Sequence, residues 1–382
     1  MMALARIGKL CRSLVHEPSK GLFVGVLQPG WIECCTGAKR HLLSQEVIKL
    51  QEFQQSKLAV AHLLTGAKGN YIELFSQKLQ RNDLILKDEL KLLLHVCQSA
   101  DDMLIARDAI SRYHAENRNL MFGDFRFGPL FVRLCYELGM EDLAAATITD
   151  KSMSGFFSEA TSFNITLDML FTKGYYENFL EVLTTMRKQP VPFNLNTFTL
   201  ASATFYKLNT EESYRMCTAM IESGQTEGMK ISRHALCFAV ALALRQNDIE
   251  KAQSLFSQIM APNSLLCQNL KLIILAMSGE VTDIISLLSA ALTPKSFSFV
   301  KKPEFSQEVV DLLRLRIEGG PHMLEVEQIV KDLEQADQVT QQTVDGMLCH
   351  TPTGKRRPSL LMEERRHSRR ALSPRVAALL SE

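Results

Sequence analysis

The chain has 382 residues, of which 46% are apolar and 22% charged, with only 19 Gly and 12 Pro. This supplies a core for two or three ordinary domains or for one long solenoid, and no apolar run reaches the ~20 residues that span a bilayer. Formal charge is +1, but residues 42–350 hold 29 Lys/Arg against 37 Asp/Glu, which excludes a surface that coats polyanions indiscriminately.

Residues 1–16 carry no acid, while Arg6, Lys9 and Arg12 recur every three residues among Leu4, Ile7, Leu10 and Leu14. Wound as a helix, this segment has a basic side and an apolar side. That pattern predicts a mitochondrial transit peptide over residues 1–41, processed near Arg40, and delivery to the matrix. The other reading is a first structural helix. Gly21, Gly25, Pro29 and Gly30 argue against a stable domain here. Leading helices are expected over 42–64 and 70–79, inside a capping region 42–86.

A period of about 35 residues runs through 87–292. Helices commonly end on a left-handed residue, for which Gly is best suited and Asn next. Asp101, Gly139, Gly174, Asn209, Asn247 and Gly279 fit that role, at steps of 38, 35, 35, 38 and 32 residues, with Asp101 the weakest fit. Five positions after them stand Ala106, Ala144, Phe179, Tyr214, Ala252 and Ile284. Apolar or small residues recur eight, nine and twelve positions after, apart from Lys151. Offsets of 5, 8, 9 and 12 trace one helical face, so an amphipathic second helix should follow each turn. First helices precede the turns, for example over 163–173, 198–208 and 235–246. The ten-residue apolar run 235–244, between Arg233 and Arg245, reads as a buried helix. Pro190, Pro192, Pro262 and Pro294 fall between units. Two-helix units of this size bury their apolar faces only by stacking, which predicts an all-α, right-handed solenoid with a concave inner wall and flanking helices.

The residues Thr161-Ser162-Phe163-Asn164, then Phe171-Thr172-Lys173-Gly174, then Leu183-Thr184-Thr185-Met186-Arg187 resemble the pentatricopeptide pattern: an aromatic-Asn start, a glycine turn and a late Met. Residues 247–260, from Asn247-Asp248-Ile249-Glu250 to Gln258-Ile259-Met260, resemble the second helix of that repeat. The whole chain is similar to the mitochondrial pentatricopeptide repeat domain-containing protein 2 family. The resemblance implies binding of single-stranded RNA, with two or three side chains of each repeat offered to one base. In the family those side chains lie early on the first helix and at the end of the repeat. Ten residues before the turns stand Pro129, Asn164, Thr199, Cys237 and Asn269; the repeat ends are Asn194, Ser232 and Ser264. Pro129 and Cys237 are poor readers. The resemblance therefore implies RNA contacts at Asn164, Asn194, Thr199, Ser232, Ser264 and Asn269. Asn164, Asn194 and Thr199 are expected exposed and near one another on the concave side. Asn164 could equally cap its helix.

Residues 293–350 read as an extended linker over 297–305 followed by trailing helices over 309–317 and 323–348, the last a solvated cap or a partner-binding helix. Residues 351–382 read as a disordered tail with eight Lys/Arg against three Glu. Its Arg clusters could add phosphate contacts, and Ser359 and Ser373 stand in weak kinase-site patterns. The nine cysteines include no CxxC and read as reduced thiols rather than a metal site. No GxxxxGK[ST], HExxH or GxSxG motif is present. Neither catalysis nor a cofactor or small-molecule substrate is expected. The leading function is RNA binding in mitochondrial transcript maturation or stability, and through it respiratory-chain expression, with RNA-processing proteins as further partners. The other is a helical scaffold for mitochondrial proteins, which the acidic body favours.

Overall fold

A computed structural model describes residues 40–63, 68–117, 126–293 and 303–351. The leader through residue 39, the tail from residue 352, and Pro294 with most of the expected linker lie outside the described residues. What is described is all-α apart from one two-residue bridge. The chain opens with α1 (Gln45–Ile48), α2 (Leu50–Leu63) and α3 (Lys68–Gln80). Six helical hairpins follow: α4 (Lys87–Val96) with α5 (Ala100–Asn117), α6 (Gly128–Leu138) with α7 (Glu141–Thr149), α8 (Ala160–Lys173) with α9 (Tyr176–Lys188), α10 (Leu195–Leu208) with α11 (Glu211–Thr226), α12 (Arg233–Arg245) with α13 (Ile249–Ser257), and α14 (Leu265–Ser278) with α15 (Val281–Leu292). Then come β1 (Phe305–Ser306), α16 (Gln307–Ile317), α17 (Met323–Gln335), β2 (Val339–Thr340) and α18 (Val344–Leu348).

The hairpin turns are built on backbone that only certain residues tolerate. Gly139, Gly174 and Gly279 have φ of 67, 82 and 76°, and Asn209 and Asn247 have 48 and 58°. Gly lacks the Cβ that makes this region costly, and the short Asn side chain bonds locally there. Asp101 is a correction. It lies in the first turn of α5, because Ser99 and Asp102 cap that helix reciprocally: the Asp102 N–H donates to Ser99 Oγ (3.1 Å) and the Ser99 N–H to the Asp102 carboxylate (2.9 Å). An acid there also meets the positive end of the helix dipole.

The second helices bury the stripe that the offsets trace. In α9 it is Phe179, Val182, Leu183 and Met186; in α13 and just beyond, Ala252, Leu255 and Ile259; in α15, Ile284, Leu288 and Ala291. Lys151 leaves the stripe because α7 has ended and residue 151 starts a 3-10 turn. The first helices form a continuous row, α6 on α8 on α10 on α12 on α14, and α16 extends it by packing on α14. The second helices α7 and α9 touch, as do α15 and α17. The pair α16 and α17 thus stacks on the last hairpin as the hairpins stack on one another. β1, just before α16, pairs in parallel with β2, between α17 and α18, Phe305 opposite Val339 and Ser306 opposite Thr340. A single apolar cluster runs from Leu42 to Cys349. Among the described residues, no helix is long and apolar enough to cross a membrane.

Candidate nucleic-acid interface

Asn164, Thr199, Cys237 and Asn269 are each the fifth residue of a first helix, α8, α10, α12 and α14 respectively. Asn194, Ser232 and Ser264 each stand immediately before the next first helix as its N-cap. The caps arise because Asn and Ser side chains accept from backbone N–H groups that a helix start leaves unpaired. Ser232 Oγ accepts from Ala235 N–H (3.0 Å) and Ser264 Oγ from Cys267 N–H (3.3 Å).

The structure joins each fifth residue to the start of the following first helix. Asn164 Nδ2 donates to Asn194 Oδ1 at 3.0 Å. The Thr199 and Ser232 hydroxyls share a hydrogen bond of 2.7 Å. Cys237 and Cys267 bring their sulfurs to 3.7 Å, and both are buried thiols. Asn269 Oδ1 accepts from the N–H of Ser306, the residue that opens α16, at 2.8 Å. Two of these four links are pairs that the sequence had assigned to one base each.

Exposure within the ladder is uneven. Asn164 is only 3% exposed and Thr199 is also buried, so neither faces open solvent as expected; both are wedged between neighbouring first helices. Nor does Asn164 cap its own helix, whose N-cap is Glu159. Asn269 is fully buried. Its Nδ2 donates to the carbonyls of Leu265 (2.9 Å) and Glu304 (3.1 Å), so with Ser306 both ends of its amide are engaged and no base reaches it. Ser232 and Ser264 are half-buried, and Asn194 is exposed. Pro129 lies in the first turn of α6, out of step with the fifth position.

Asn194 is the informative member. Its Oδ1 accepts from the N–H groups of Asn196 and Thr197 and from Asn164 Nδ2. Two backbone donors fix which end of the amide is oxygen. The Nδ2 group has no hydrogen-bond partner among the described residues, which leaves two N–H donors for a ligand. Thr197, which the repeat pattern did not mark, ties the cluster together: its hydroxyl donates to Asn164 Oδ1 (2.8 Å) and accepts from the Asn194 N–H (3.3 Å).

Three further polar residues escaped the sequence reading. Asp168, four residues beyond Asn164 on α8, is fully buried. Its carboxylate accepts the N–H groups of Leu42 (2.8 Å) and Leu43 (3.1 Å) and meets His41 Nδ1 (2.8 Å). Lys207, at the end of α10, binds both Asp345 carboxylate oxygens at 2.8 and 2.9 Å. His234, at the start of α12, donates from Nε2 to the Leu348 carbonyl at 2.6 Å. Burial holds the His234 imidazole below its ordinary pKa and so keeps it neutral. Their spacing along the helices was visible in sequence, but their partners are more than a hundred residues away. The six cysteines among the described residues are all buried thiols, and no cluster of metal-binding side chains occurs there.

No family model matches the chain. Individual proteins do. It is 50% identical to pentatricopeptide repeat-containing protein 2, mitochondrial, of Danio rerio, over 93% of this chain and 93% of the relative. The proteins of that name from Homo sapiens and Xenopus laevis are 46% and 41% identical, covering 91% and 97% of this chain and 90% and 97% of their own lengths. Stacked helical hairpins and identity across nearly the whole length agree: the chain belongs to the pentatricopeptide repeat-containing protein 2 family.

Proposed function

We propose that this chain is a non-catalytic mitochondrial matrix protein that binds single-stranded RNA along its first-helix row. By doing so it acts in transcript maturation or stability, and through that in respiratory-chain expression. Residues 1–41 serve as transit peptide and 42–86 as the leading cap. The repeat array begins at 87 and continues past 292 through α16 and α17, because those helices stack in the same row. The carrying observation is Asn194: exposed, held by three N–H donors to Oδ1, and with Nδ2 left to a ligand. An amide on a fixed helix start presents donors to a base edge at little ordering cost. Asn164, Thr199 and Ser232 position this face, and Ser232 and Ser264 lie at the places equivalent to Asn194 one and two units on.

The direct test is Asn194→Asp. A carboxylate keeps every bond that Oδ1 accepts, so the cap and the melting temperature should hold. It replaces the free donors by an acceptor, so the preferred base at one position should change, at a cost of roughly 1–3 kcal/mol for the original RNA by analogy with single-base contacts to DNA. Asn194→Ala should instead lower stability by about 1 kcal/mol through loss of the cap. An RNA profile of Asn194→Asp identical to that of the parent would remove Asn194 as a reader.

The scaffold reading retains one specific support. The body is acidic, and the first-helix face is already occupied by protein at Asp168, Lys207, His234 and Asn269. A scaffold would keep its protein partners and show no RNA preference in any variant.

A further inference from the structure

Three central first helices of the array, α8, α10 and α12, are buried on every side along most of their length. Residues 162–171 of α8, 197–207 of α10 and 235–244 of α12 are buried without a break. A helix in such a row has a neighbour on two sides and its own hairpin partner on a third. The fourth side is the one an array offers to a ligand. Here the chain itself lies on it.

The segment 343–351 crosses the row. The Val344 N–H donates to the Glu308 carboxylate of α16. Helix α18 packs on α14 and α12, with Val344, Met347, Leu348 and Cys349 buried. Asp345 reaches Lys207 of α10, and the Leu348 carbonyl takes the His234 donor of α12. Thr351 bonds the carbonyl of His41, whose side chain rests on Asp168 of α8. These anchors share the helix face of the fifth residues. Asp168 is one turn beyond Asn164, Lys207 about two turns beyond Thr199, and His234 one turn before Cys237.

We propose that residues 343–351 are a displaceable strap seated in the RNA site, with the Asp345 carboxylate held on Lys207 where an RNA phosphate binds once the strap leaves. The inference rests on the RNA-binding reading above and names a backbone contact within it. The Lys207 side chain is 3% exposed, and a buried ammonium requires an anion. A phosphodiester offers the same charge and the same pair of acceptor oxygens. Beside it, the neutral His234 Nε2–H is a donor at physiological pH, whether its acceptor is a peptide carbonyl or a phosphate. The strap is built to come off. Its helix has five residues, too few to persist without the row beneath it. It is followed directly by residues 352–382, where eight Lys/Arg stand against three Glu.

The test uses the full chain and a fluorescent single-stranded RNA pool of randomised sequence. Asp345→Asn combined with Leu348→Ala should loosen the strap, seen as faster hydrogen exchange over 343–351, and should tighten RNA binding about tenfold as the open fraction rises. A synthetic 339–351 peptide added in trans should reverse the gain, and Lys207→Ala in the loosened background should abolish most of it. In the unaltered chain, RNA should accelerate exchange over 343–351; this second measurement needs no variant to fold. Faster exchange in the loosened variant with unchanged affinity, or strap amides that stay protected in the RNA-bound parent, would overturn the strap while leaving RNA binding intact. RNA bound by neither parent nor loosened variant would overturn both.

Discussion

Gly174 ends α8 at a φ of 82°, and its N–H closes the helix on the Leu170 and Phe171 carbonyls. Valine there places a branched Cβ in the left-handed region, at a cost of about 1–2 kcal/mol. Gly174→Val should lower the melting temperature, while Gly174→Asn should be milder, since Asn209 and Asn247 already do this work in two other turns. Equal melting temperatures for the parent and the valine variant would contradict the strained turn. Turn residues were legible in sequence because their backbone demand restricts residue type so sharply. Asp101 was misread because an Asp is also a good first-turn residue, and the Ser99–Asp102 capping pair that decides between the two roles is itself a sequence pattern. The candidate readers were legible as positions, from the resemblance, but not as exposures. Asn164 and Asn194 are the two marked positions of one repeat, the fifth residue and the following cap, yet one is buried and the other open. Which is which depends on Thr197 and on the neighbouring helix.

At the scale of elements, α18 and α12 are coupled by a titratable group. His234 is neutral in the folded protein because burial depresses its pKa below the ordinary 6.5. Unfolded, it takes up a proton near that value, so the unfolded state binds more protons as pH falls below about 6.5 and stability drops there. Above that pH the group contributes no pH dependence. Between about pH 7 and 5.5 the melting temperature should fall, and His234→Gln, which keeps a donor but does not titrate, should fall less. Buried His95, also held below its ordinary pKa by burial, should leave a residual slope. An unchanged slope in His234→Gln would show that the imidazole is not held neutral. Long-range elements such as this were not readable in advance. Trailing helices were expected over 309–317 and 323–348, but the second is broken into α17 and α18 with β2 between them, and nothing local tells that residues 344–348 return to the first-helix row. The parallel bridge of Phe305 to Val339 joins residues separated by two helices, and two-residue strands carry no periodic pattern.

For the whole molecule, the open issues are address and ligand. On the reading proposed above, the address lies in the acid-free segment that holds Arg6, Lys9 and Arg12. Changing these three to Glu should leave the protein in the cytosol, as followed by fractionation or by a fluorescent fusion; undiminished mitochondrial delivery would sink the transit-peptide assignment. The ligand must be one that an acidic body accepts. On the RNA-binding proposal, excess Asp/Glu over 42–350 repels RNA at long range, so affinity would come from contacts near Asn194 and Lys207 and from the basic tail, and those phosphate contacts should weaken as salt is added. The measurement that bears most directly on function is ultraviolet crosslinking of RNA to this protein inside intact mitochondria, followed by sequencing of the attached fragments. Reproducible enrichment of single-stranded stretches in a small set of mitochondrial transcripts, with the enriched sequence altered by Asn194→Asp, is the expected result. Recovery of RNA no greater than from a non-binding matrix protein, with protein partners still co-purifying, would contradict RNA binding and leave the scaffold.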